Sequence, residues 1–103
     1  MTTTVGSHEL EEWEVTYLLA IHEYMANQGK DVATPLPPSV RDMVHLTGAT
    51  STSVVNYWIK RLAANGYVVD NPAFHGISRA STRLTQLGKL VASVLYDTYA
   101  LGD

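Results

Sequence analysis

The chain has 103 residues, of which 46% are hydrophobic and 17% charged, and its formal net charge is −3. That length accommodates one domain burying about two-thirds of its unfolded surface, and the composition excludes a disordered chain apart from a polar leader, residues 1–7. Cysteine is absent, which excludes disulfides and thiolate chemistry, and no apolar run approaches the roughly 18 residues of a membrane span. The first apolar stretch follows an acidic segment, unlike a secretory signal, so a soluble cytoplasmic protein is expected.

In chain order, residues 8–27 place Leu10, Trp13, Tyr17, Leu18, Ile21, Tyr24 and Met25 at spacings of three and four, which predicts an amphipathic helix. Ser7 is a candidate cap, and Glu9, Glu11 and Glu12 suit the positive end of the helix dipole. Gly29 and the prolines at 35, 37 and 38 make 29–38 an extended connection. Ser39 followed by Asp42 resembles a capping box for a short helix with Val40, Met43 and Val44 as its buried stripe, and Gly48 is placed to end it in the left-handed region. Ser51 or Thr50 then caps a third helix, about 51–64. At 100° per residue, Val55, Trp58, Ile59 and Leu62 fall on its core side and Ser53, Asn56, Tyr57, Lys60 and Ala64 on the other. Asn65-Gly66 closes it. Residues 67–70 read as a strand, 71–81 as a loop and 82–85 as a return strand. Two short helices joined by a glycine turn, followed by a hairpin, describe a helix-turn-helix with a wing. The last helix, 86–103, opens after Thr85 and is expected to bury Leu87, Leu90, Val91, Val94 and Thr98, flanked by Leu95 and Leu101. Tyr96 and Tyr99 fall off that stripe and form a second apolar surface, either a dimer contact or packing against the first helix.

The segment 37–68, "PPSVRDMVHLTGATSTSVVNYWIKRLAANGYV", resembles the winged helix-turn-helix DNA-binding domain of the LexA repressor family. The shared pattern is Pro-Pro-Ser, a short helix, Gly, Ser, a Val-bearing recognition helix, Leu, and Gly-Tyr-Val. Leu10, Leu18, Ile21 and Tyr24 fall where that family's first helix has Leu, Leu, Ile and an aromatic residue, so the similarity spans about residues 10–85. The loop before the second helix is longer than usual in the family, the wing is longer too, and the Ser-Lys peptidase domain is absent, so self-cleavage is not implied. "RLTQLGKLVASVL" is similar to the segment after the wing in MarR- and PadR-like regulators, where it leads into a dimerisation helix. The implied fold is mainly α: a winged helix-turn-helix of three helices and a two-stranded wing over 8–85, with a C-terminal helix from 86 onward.

Reading DNA requires donors and acceptors that reach base edges from the start of a helix fitting the major groove. Ser51, Ser53, Asn56 and Tyr57 meet that requirement, Thr52 and Val54 suit thymine methyl groups, and the resemblance carries base-contacting roles onto Ser51, Ser53, Val54, Asn56 and Tyr57. Phosphate contacts are expected from Arg41, Lys60, Arg61 and the Ser39 and Ser51 caps. Arg79 and Arg83 are expected to reach the backbone or minor groove from the wing. Charge supports a polarised molecule. Residues 1–29 hold five glutamates and no lysine or arginine, whereas 41–89 hold six cations against two aspartates, a balance of +4.

Catalysis finds no support. His8, His22, His45 and His75 are scattered, and no glycine-rich phosphate loop or nucleophile elbow occurs, so no metal, cofactor or enzymatic activity is expected. The reading is a homodimeric, sequence-specific regulator of transcription binding double-stranded DNA at the nucleoid. The alternative from another class is a winged-helix protein-interaction module, such as an antirepressor or assembly adaptor. A third is a ligand-responsive regulator with a pocket where Trp13, Tyr17, Tyr24, Tyr96 and Tyr99 meet.

Overall fold

A computed structural model describes residues 2–29, 31–69 and 79–101. The chain starts with an antiparallel hairpin of β1 (Thr2–Val5) and β2 (His8–Glu11), paired from Thr2↔Glu11 to Val5↔His8. Four helices follow: α1 (Glu12–Ala26), α2 (Val40–Thr47), α3 (Thr52–Ala64) and α4 (Gln86–Leu101). The described residues are therefore mainly helical, with one small two-stranded sheet.

The hairpin corrects two expectations. The leader is not a disordered tail, and α1 begins at Glu12 without a cap from Ser7. The cause is legible in retrospect: His8 to Glu11 alternates in burial with Leu10 fully enclosed, a period of two that a strand satisfies as well as a helix does. Thr2–Val5 then supplies β-branched partners across a turn with Gly6 at φ 59°. Glu14, four residues after Leu10, anchors the helix start. Its buried carboxylate accepts the Glu11 backbone N–H at 3.0 Å and the Asn65 amide at 2.9 Å, tying α1 to the end of α3.

The α2 capping box forms as expected: Asp42 N–H donates to Ser39 Oγ at 3.1 Å and Ser39 N–H to Asp42 Oδ2 at 2.9 Å. Gly48 ends α2 with φ 73°, and its N–H reaches the Val44 carbonyl at 3.0 Å. A side chain other than glycine rarely adopts that conformation, so the turn into α3 is a backbone requirement. Ser51, not Thr50, caps α3, accepting from Val54 N–H at 3.4 Å. The core is one cluster in which Leu10, Leu18, Ile21, Met43, Val55, Leu62, Val91 and Leu95 are enclosed, with α1 packed on both α4 and α2, and α2 on α3.

After α3 the described residues pair at one point. Val69 N–H donates to the Arg83 carbonyl at 2.9 Å and Thr85 N–H to the Tyr67 carbonyl at 3.0 Å, flanking a single antiparallel bridge, Val68↔Leu84. The expected return strand 82–85 is thus shortened, because Ala80–Thr82 forms a turn of 3-10 helix. Buried Thr82 donates its hydroxyl to the Pro38 carbonyl and pins that turn against the start of α2. Residues 70–78, most of the expected wing loop, lie outside the described residues.

α4 opens with the Thr85 hydroxyl accepting Gly88 N–H at 3.0 Å. Its buried stripe is rotated from the expected one: Gly88, Val91, Ala92 and Leu95 face inward, whereas Leu90, Val94 and Thr98 are exposed. The reason is a close approach. A Cβ on Gly88 would lie 2.0 Å from the Tyr67 carbonyl oxygen, so α4 turns its smallest residue toward the α3 exit and the larger side chains follow.

Candidate nucleic-acid interface

α3 divides as its spacing predicts. Val55, Ile59 and Leu62 are buried and Trp58 is half-buried, while Thr52, Ser53, Asn56, Tyr57, Lys60 and Ala64 are exposed. The helix holds no acidic residue. Its outer face therefore presents hydroxyls, one amide, one phenol and an ammonium in a row, which are the donor and acceptor types that base edges pair with. Val54 is half-buried, so it turns partly toward the core and is less available to thymine methyls than the residues beside it. Ser51 is exposed at the helix start but spends its oxygen on the cap.

The expected phosphate contacts separate into two groups. Arg41 and Lys60 are exposed on α2 and α3, where they extend into solvent as backbone contacts require. Ser39 is held in the capping box, with its hydroxyl and its N–H both engaged by Asp42. Arg61 and Arg79 are held by other groups. The Arg61 guanidinium carbon sits 5.8 to 6.0 Å from the rings of Trp13, Tyr57 and Trp58, and Nη1 donates to the Tyr57 hydroxyl at 3.4 Å. Arg79 is not a projecting wing tip. Its Nη1 donates to the Pro37 carbonyl at 2.9 Å and its Nη2 lies 4.0 Å from Asp42. Arg83 is exposed, and its backbone carbonyl is committed to Val69.

Tyr24, Asp42 and Arg79 form a polar knot at the start of α2. The backbone N–H of Ser39, then its hydroxyl, the Tyr24 hydroxyl and the Arg79 charge hold the Asp42 carboxyl below the usual carboxylate range, against partial desolvation. The Tyr24 hydroxyl, helped by Asp42, raises Arg79 above its usual value. Separated widely along the chain, these three residues carry no local signal that joins them.

The aromatic side chains do not gather as expected. Trp13 meets Tyr17 with centroids at 6.3 Å and Trp58 at 4.4 Å. Tyr96 packs on His22 at 4.9 Å, and Tyr24 turns to the α2 knot. A pocket shared by all five is thus replaced by a Trp13–Tyr17–Trp58 wall between α1 and α3. No sequence signal pairs Trp13 with Trp58, because each tryptophan satisfies its own helix's apolar face. Comparison of the chain with protein-family models, curated proteins and solved structures finds no match.

Proposed function

We propose that the protein is a winged-helix regulator of transcription that binds double-stranded DNA sequence-specifically, with α3 in the major groove, and that it acts at the nucleoid without catalysing a reaction. The observation that carries this reading is the exposed, carboxylate-free face of α3 with Ser53, Asn56, Tyr57 and Lys60, opened by a serine cap behind a left-handed glycine turn. The brief ladder of Tyr67–Val69 with Arg83–Thr85 is consistent with the root of a wing. Exposed Leu90, Val94, Tyr96 and Tyr99 on α4 support dimerisation there, because such a surface is costly to leave in water. Among the described residues no helix is long and apolar enough to cross a membrane.

Selection from random duplex DNA at two salt concentrations tests this reading. Lys60→Ala is expected to weaken binding to every sequence and lower the salt slope by about one unit. Asn56→Ala is expected to relax preference at one base pair, at a cost of about 1–3 kcal/mol there. The second reading, a protein-interaction module, is favoured by the engagement of Arg61 with aromatic rings and of Arg79 with Pro37 and Asp42, which reduces the cations available to phosphates. Failure to enrich any sequence, with binding insensitive to salt, would select that alternative.

A further inference from the structure

A cavity of about 600 Å³ opens beside α1, walled by Trp13, Tyr17 and Trp58 and lined also by Glu11 and Glu12. Its volume is in the range of small-molecule sites, and it is a shallow depression that opens widely to solvent. Aromatic faces are electronegative and carboxylates fully negative, so both kinds of wall attract positive charge. The cavity lining includes no lysine or arginine. An anion would meet two like charges, and a neutral apolar ligand would desolvate the carboxylates without compensation. A compact inorganic cation would gain little from the rings because it keeps its water. An alkylated ammonium is weakly hydrated and apolar on its surface, and it matches both walls.

The chain already places a cation over two of these rings. Arg61 lies 5.9 Å from the Trp13 ring and 6.0 Å from that of Trp58, and it lines a smaller neighbouring cavity of about 290 Å³ with Glu9 and Glu11. Trp13 Nε1 donates to Glu11 Oε2 at 2.7 Å. A hydrogen bond to a carboxylate polarises the indole and strengthens its attraction for positive charge.

We propose that the Trp13–Tyr17–Trp58 cavity binds a small organic cation of the quaternary ammonium class, held against the partly exposed rings of Trp13 and Trp58, with Tyr17 buried behind them, and charge-paired with Glu11 and Glu12. The chain's two tryptophans both belong to this wall, so intrinsic fluorescence reports on the site. Acetylcholine serves as the probe and 3,3-dimethylbutyl acetate, its uncharged carbon isostere, as the comparison. Acetylcholine is expected to give a saturable change, weakened several-fold by added salt, with the isostere at least about tenfold weaker. Exposed Glu12 is replaced by Gln without touching the core, and E12Q is expected to weaken acetylcholine about three- to tenfold while leaving the isostere unchanged. Equal binding of the two esters, or no saturable response, overturns the proposal. Should E12Q fail to fold, the isostere and salt comparisons on the unaltered chain decide by themselves. No DNA enters the titration, so its outcome stands apart from that of the α3 reading.

Discussion

α3 and α4 are helices of similar length that each bury one apolar stripe, yet their exposed sides differ in kind. The outer side of α3 is polar from Thr52 to Lys60 apart from Tyr57, whereas α4 exposes Leu90 to 64%, Val94 to 40% and Tyr99 to 49%. A polar outer face with donors and acceptors suits water and base edges equally, and it costs nothing when unoccupied. An apolar outer face is favourable only when covered. The contrast separates a helix face that is stable in water as it stands, on α3, from one whose apolar side chains favour being covered, on α4.

The largest effect is expected where α4 meets the α3 exit. Gly88→Ala places a methyl 2.0 Å from the Tyr67 carbonyl oxygen, and the resulting shift should cost about 3 kcal/mol. Thermal unfolding would then fall by roughly 12–24 °C. A melting point within a few degrees of the parent would mean that α4 is free to slide, and the assignment of its outer face would lose its basis.

Next, Leu90→Lys with Val94→Lys should leave the fold intact, since both side chains are exposed, and weaken self-association about a hundredfold, or about 2.8 kcal/mol. Sedimentation velocity against circular dichroism separates the two properties. An unchanged sedimentation coefficient would remove the distinction drawn between α3 and α4.

A smaller effect sharpens the α3 side of the comparison, because the Ser39–Asp42 box caps α2, the helix that packs on α3. Asp42→Asn should cost about 1 kcal/mol at neutral pH. The folded Asp42 carboxyl titrates below its usual value. Its contribution is therefore complete above an unfolded pKa of about 3.9 and is lost as pH falls through the lower folded value. Denaturant melts across acid pH should show the gap between Asp42→Asn and parent closing below about pH 4; a gap constant with pH would mean that the ionised form is not what the cap uses.

The smallest effect is expected for Tyr99→Phe. Its hydroxyl meets Thr3 Oγ1 at 3.4 Å on an exposed surface, so stability should change by less than about 0.5 kcal/mol. A larger loss, in a melt held at one protein concentration, would mean that Tyr99 holds the hairpin to α4 instead of facing a partner.

Much of the α2–α3 region was legible because its signals are local. Ser39, Asp42, Gly48 and Ser51 act on backbone groups within four residues of themselves, and the periodicity of α3 had a single apolar stripe to obey. The candidate interface was legible to the same extent: Ser53, Asn56, Tyr57 and Lys60 share a face by spacing alone. Leu10 was ambiguous because one apolar residue fits periods of two and 3.6 alike, and α1 lost its expected first turn to β2. In α4 two apolar stripes competed, and hydrophobicity cannot choose between Leu90 with Val94 and Val91 with Leu95.

The caps of α2 and α3, the left-handed turn at Gly48 and the two faces of α3 are written in local sequence, since each follows from backbone geometry or from one helical period. The N-terminal pairing, the rotation of α4 about Gly88, the capture of Arg79 by Pro37 and Asp42, and the meeting of Trp13 with Trp58 emerge from long-range packing. Each of these joins groups distant in the chain, and their energy depends on which surfaces come within van der Waals reach, a property that no single segment carries.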